Sequence, residues 1–182
     1  MKLTNAEKLI LIMLSEIYEK LGIGSDTEID PKFVKSAIFS NNTWGLPWKY
    51  SGIPFDGSEL TPTEVTEVVS YLDMWSFIEA AYKKLDARGK DALEEKAGAL
   101  AKHVQFRGFD GNNESEYMSI ARFMIDDLER FESFKGRDLN SHMPSVGSYR
   151  RMYQVFEPIR RTLIDRELNV DELAAVLKAV GR

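Results

Sequence analysis

Between Thr61 and Ala87 the chain carries Val65, Val68, Val69, Leu72, Trp75, Ile78, Tyr82 and Leu85 at helical spacing, and Tyr71, Met74, Phe77 and Ala81 widen that stripe until few polar faces remain. A helix apolar on most sides has to be enclosed by other elements, so this segment is the predicted central strut. Thr61-Pro62-Thr63-Glu64 reads as its start, a capping box with proline at the first helical position. Unbroken to Ala87 it would run about 39 Å at about 1.5 Å per residue. Gly89 is its expected stop, and Leu93, Ala97, Leu100 and Val104 mark a shorter return helix.

The remaining patterned segments have the same period. Thr4-Asn5-Ala6-Glu7 is a capping box, followed by Leu9, Ile10, Met13, Leu14, Ile17 and Leu21 and a glycine stop at Gly22. Asp30-Pro31 opens a second helix with Phe33, Val34, Ala37 and Ile38 on its buried face. Asn113 with Glu116 opens another, whose face runs from Tyr117 to Phe131. Tyr149 to Leu163 is expected to bend or restart at Pro158, because proline removes an internal hydrogen bond. Asn169 caps a final short helix. No segment alternates, so the fold expected is all-α without a sheet. It is an irregular helical bundle over residues 1–182, with a lobe of residues 61–131 around a long hairpin and a second of residues 1–53 plus 145–182.

Composition removes several function classes. The 182 residues include no cysteine, which excludes disulfide scaffolds, thiolate catalysis and cysteine-ligated metal. The net charge of −5 opposes general phosphate-backbone binding. The apolar stretch Leu9 to Leu14 is too short to span a bilayer and no small-residue cleavage site closes it, so a cytoplasmic protein without a membrane partner is expected.

Charge is unevenly placed. Ser51 to Tyr82 holds Asp56, Glu59, Glu64, Glu67, Asp73 and Glu79 without a basic residue, whereas Lys135 to Arg166 is rich in arginine. The two regions either face each other, stay solvated, or meet between subunits. Between Asn41 and Gly57, glycine, proline and asparagine are threaded by Trp44, Leu46, Trp48, Tyr50, Ile53 and Phe55, a composition read as non-helical. Such a loop either packs under its own aromatics or presents a recognition surface, for which Trp44, Trp48 and Tyr50 are the candidate binding residues.

The stretch Phe106-Arg107-Gly108-Phe109-Asp110-Gly111-Asn112-Asn113-Glu114, followed by Tyr117, Ala121-Arg122-Phe123 and Arg137-Asp138-Leu139-Asn140-Ser141-His142, resembles the YfbU family of small bacterial proteins. The likeness extends from Leu3-Thr4-Asn5-Ala6-Glu7 through Trp44-Gly45-Leu46 to Tyr149-Arg150-Arg151-Met152. It implies an all-helical, cytoplasmic, self-associating protein, and no mechanism.

Asp110, Glu114, Arg137 and His142 are the candidate catalytic residues, because a histidine base and a carboxylate from the 106–117 and 137–142 segments would assemble a hydrolase-like site if folding joined them. Asp110 and its neighbours do not form a calcium loop: an EF-hand needs glycine and glutamate where Ser115 and Ala121 stand. Two histidines, His103 and His142, are a weak metal signal, so neither metal nor cofactor is expected. Arg150, Arg151, Arg160 and Arg161 are suited to phosphate but lack any accompanying nucleic-acid motif. The ordering that results is a self-associating interaction module, expected to be a homodimer, then an enzyme, then a nucleic-acid binder.

Overall fold

The computed structural model describes residues 2–23, 29–53, 55 and 61–181; Asp56, Glu59 and Gly57 of the sequence reading lie outside them. Among the described residues the chain is all α-helical, with one isolated bridge between Phe109 and Asn140. The first helix, α1 (Asn5–Leu21), begins at the capping box, Thr4 Oγ1 accepting from Glu7 N and Glu7 Oε2 from Thr4 N at 2.8 Å, and ends on Gly22 at φ 68°. In α2 (Pro31–Phe39) the Asp30 carboxylate accepts from Lys32 N at 2.9 Å, with proline at the helix start.

The aromatic segment departs from expectation by forming a short helix, α3 (Gly45–Lys49). Pro47 does not prevent it, because the amides of a first helical turn have no partner within the helix. The strut is α4 (Thr63–Lys84), shorter at both ends than its pattern. Pro62 occupies the cap position and no side chain caps the helix, so the Thr61 box is not made. At the other end Leu85 turns extended and Asp86 caps the next helix, α5 (Ala87–Ala97), by accepting from Gly89 N at 2.8 Å. Gly89 therefore lies inside α5 and does not stop α4.

A 3-10 turn, Gly98–Lys102, follows α5. α6 (Ser115–Arg122) starts without a side-chain cap, since Asn113 donates to Asp110 instead, and continues as a π turn over Phe123–Asp127 that ends well before Phe131. α7 (Val146–Arg160) holds Pro158 in its last turn without restarting. α8 (Val170–Lys178) opens on the capping box of Asn169 and Glu172.

Helices α6, α7 and α8 pack on α4, and α5 packs on α8. Val65, Val68, Leu72, Met74 and Ile78 of the strut are completely buried. The N-terminal pair sits elsewhere: α1 packs on α2, and α2 on α3 and the Phe123–Asp127 turn. The C-terminal helices α7 and α8 thus pack on α4, and α8 also on α5. Phe123 is the joint, its ring 5.3 Å from Phe33 and 5.5 Å from Trp44.

A Cβ on Gly45 would lie 2.3 Å from Cε1 of Phe123. Gly45→Ala should therefore lower stability by about 1–3 kcal/mol, as overpacking does. Urea unfolding reads this directly, and an unchanged midpoint would show that the joint can give way.

Candidate functional site

The two motif-bearing segments do meet, and glycine makes the meeting possible. Gly108 adopts φ 84°, and a Cβ there would lie 1.9 Å from the carbonyl oxygen of Leu139. At this crossing Phe109 N donates to Leu139 O at 2.9 Å and Ser141 N to Phe109 O at 3.0 Å. The Ser145 and Tyr149 hydroxyls both donate to Gly108 O at 3.0 Å, tying the crossing to the start of α7.

Asp110, Glu114 and His142 come together in this clasp, but the two carboxylates are occupied by the chain itself. Glu114 accepts from Ser145 N, Ser145 Oγ and Val146 N at 2.8–3.0 Å, and from Asp110 N at 3.1 Å. A carboxylate on the first amides of α7 meets both the unfilled donors and the positive end of the helix dipole. Buried Asp110 accepts from Asn113 Nδ2 and from Asn112 N. The Asn113 bond first, then the Asn112 amide, and last the nearby His142 charge hold its carboxyl below the ordinary range. Asn140 Oδ1 accepts from Gly111 N and His142 N, placing exposed His142 at φ 55° on the rim.

Arg137 does not join them. Its guanidinium grips Glu79 of α4 through two bonds of 2.8 Å, donates to Ser133 O and lies 4.9 Å over the Phe134 ring. Among the described residues no group of three or more histidines and carboxylates could hold a metal ion.

The other candidates are also engaged. Arg150 donates twice to Glu67 Oε1, Arg160 pairs with Asp73, and Arg161 with Glu157. Arg151 donates to Val180 O at 2.7 Å at the end of the C-terminal helix. The acidic and basic stretches thus face each other inside one chain. Trp44 and Tyr50 are each 8% exposed. Trp44 Nε1 donates to Asn42 Oδ1, Tyr50 OH accepts from Asp30 N, and half-buried Trp48 lies under Arg130. The aromatic segment is packing for the N-terminal pair.

Beside the clasp opens a cleft of about 320 Å³, lined by Trp75 from α4, Leu100 and His103 after α5, Arg107, Tyr149 from α7 and Leu177 from α8, among others. The sequence reading noted His103 but gave Arg107 no role. Neighbours in this cleft come from helices far apart in the chain, so no local motif marks it.

The chain belongs to the YfbU family: the model of the YfbU domain matches residues 1–179. It is also similar to a UPF0304 protein of Methanocaldococcus jannaschii, 28% identical over 126 residues that cover 66% of this chain and 70% of the relative. Among the described residues no helix is long and apolar enough to cross a membrane.

Removing the Glu114 carboxylate strands several donors at the head of α7. Glu114→Ala should cost about 2–4 kcal/mol in chemical unfolding, because amides left unpaired are expensive. A loss below about 0.5 kcal/mol, ordinary for a surface change, would mean that the clasp does not anchor α7. A second expectation concerns acid. Burial pushes the Glu67 carboxyl up, but bonds from Tyr117 and Arg150 and the charge of Arg150 outweigh it and hold the group below its ordinary value of 4.5. A carboxyl depressed in the folded state stabilises fully above its unfolded value, and that stabilisation is lost as pH falls through the folded one. Glu67→Gln should thus be less stable than the parent near pH 7 and approach it below about pH 4; a difference independent of pH would refute the linkage.

Proposed function

We propose that this YfbU-family protein is a self-associating interaction module, and that the outer face of α1 is where a second copy of the chain docks. The observation that carries this reading is the orientation of α1. Leu9, Ile10, Met13, Leu14, Ile17, Tyr18 and Leu21 are between 37% and 66% exposed, whereas the inward face offers Leu11, Ile12, buried Ser15 and Glu19. Ser15 Oγ donates back to Leu11 O, and Glu19 pairs with Lys35 of α2. More apolar surface thus points away from the body than toward it, the reverse of the usual surface helix.

Monomeric proteins rarely leave a contiguous apolar stripe of this kind uncovered. At roughly 100 Å² apiece these side chains supply about 700 Å², close to the roughly 800 Å² per partner of a standard interface. A second copy is the occupant that matches, because a two-fold axis brings the same stripe against itself and buries both at once. The aromatic segment and the opposed charges, expected from the sequence at a subunit boundary, are engaged within the chain and leave this role to α1. The hydrolase and nucleic-acid readings draw less support, since Asp110 and Glu114 hold backbone amides and the four arginines already have partners.

Light scattering at micromolar concentration should give about twice the 20.8 kDa chain mass. The double variant Ile10→Glu, Ile17→Glu should return a single-chain mass with helical circular dichroism retained, because both positions are exposed. A parent protein that stays monomeric, or a folded double variant that stays dimeric, would refute the assignment.

A further inference from the structure

The cleft beside the clasp lies apart from the α1 stripe, and its lining combines apolar walls with a cationic side chain. Its volume of about 320 Å³ lies at the small end of the roughly 300–1,000 Å³ of ligand pockets. Trp75, Leu100, Met143 and Leu177 make its walls apolar. Ser145 and Tyr149, which also line it, have their hydroxyls committed to Gly108 O, so that wall is fixed in advance.

The charged side chains of the cleft are of one sign, while Gln105, Ser141 and Ser148 add neutral polar groups able to donate and accept. Exposed Arg107 has no carboxylate partner among the described residues, as is true also of Arg88, Arg122, Arg130 and Arg151, but of these only Arg107 lines the cleft. His103 stands with it at the cleft, and no acidic side chain is among the residues that line it. Trp75, only 6% exposed, adds apolar wall, its indole Nε1 being itself buried and without an acceptor among the described residues. Arginine donates and cannot accept. A guanidinium without an acid at the cleft, beside apolar walls, suits an occupant with an anionic head and an apolar body.

We propose that this cleft binds a small organic carboxylate with a compact apolar body, its anionic head on Arg107 and His103 and its body against Trp75, Leu100 and Leu177. The guanidinium fork matches the two oxygens of one carboxylate. A polyphosphate would ask for several cations, and Arg107 is the single arginine lining this cleft among the described residues.

Titration calorimetry on the full chain tests the assignment with phenylacetate and its neutral counterpart, phenylacetamide. Phenylacetate should bind saturably with Kd of about 1 mM or tighter, and the amide at least about tenfold more weakly. Arg107→Ala should weaken phenylacetate binding by about tenfold or more, while Arg122→Ala, at an exposed arginine on α6, should leave it unchanged. Leu100→Glu, which sets a carboxylate at the cleft, should abolish binding. Leu100 and Arg107 are exposed, so both variants should keep the helical spectrum of the parent. The proposal is overturned by the absence of saturable binding up to about 20 mM of phenylacetate or 3-methylbutanoate. Equal affinity for acid and amide, or binding indifferent to Arg107→Ala, would overturn it as well.

Discussion

The enclosure of α4 is the constraint from which most of the architecture follows. From Glu67 to Tyr82 no residue of this helix is exposed. The helix nevertheless carries Glu67, Asp73 and Glu79, and a carboxylate taken even partly out of water is costly without a partner. Spaced six residues apart, these acids are turned by about 120° from one to the next at 3.6 residues per turn. Each meets an arginine from the second half of the chain: Arg150, Arg160 and Arg137. The arginine-rich composition of residues 135–166 is thus the complement of a buried acidic helix, and charge separation along the sequence becomes charge pairing in the fold.

The clasp works by the same logic with backbone groups. Two loop segments can cross at Gly108 only if their amides and carbonyls find partners, since buried backbone groups are almost always paired. Leu139 O, Phe109 O and Gly108 O are each used, and Asp110, Asn140 and Glu114 supply acceptors for the amides left over. The density of Asp, Asn, Ser and Glu in these segments measures the number of backbone donors that the crossing leaves to satisfy. Side chains of the type that perform chemistry are here fastening one loop to another and both to the head of α7.

Helical period and capping chemistry were legible in the sequence because both are local. The box at Thr4, the cap at Asn169 and the proline start at Asp30 form where their residues stand. Thr61 fails because Pro62 takes the cap position, and Gly89 fails as a stop because Asp86 captures its amide first. The helix at Gly45 was hidden by its glycine and proline, which a single first turn tolerates. At the candidate site, composition located the two segments but not what their side chains hold. Whether Glu114 faces solvent or the amides of α7 depends on a contact across more than thirty residues, which spacing does not encode. The cleft was harder still, since Trp75, Arg107 and Leu177 share no motif.

Residue type is therefore a poor guide to function in this chain, and missing partners are a better one. Aspartate, glutamate and most arginines were the obvious candidates, and each has its hydrogen-bonding capacity directed at the protein. What the fold leaves uncompensated among the described residues is different in kind: an apolar stripe on α1 facing solvent, and at the cleft an arginine without an acid. The stripe is exposed apolar surface that a simple exchange of leucine for lysine would remove. Exposed apolar surface is what a monomer would be more stable without, which is why the stripe on α1 and the unpaired cation at the cleft, more than the loop carboxylates, are what the two proposals rest on.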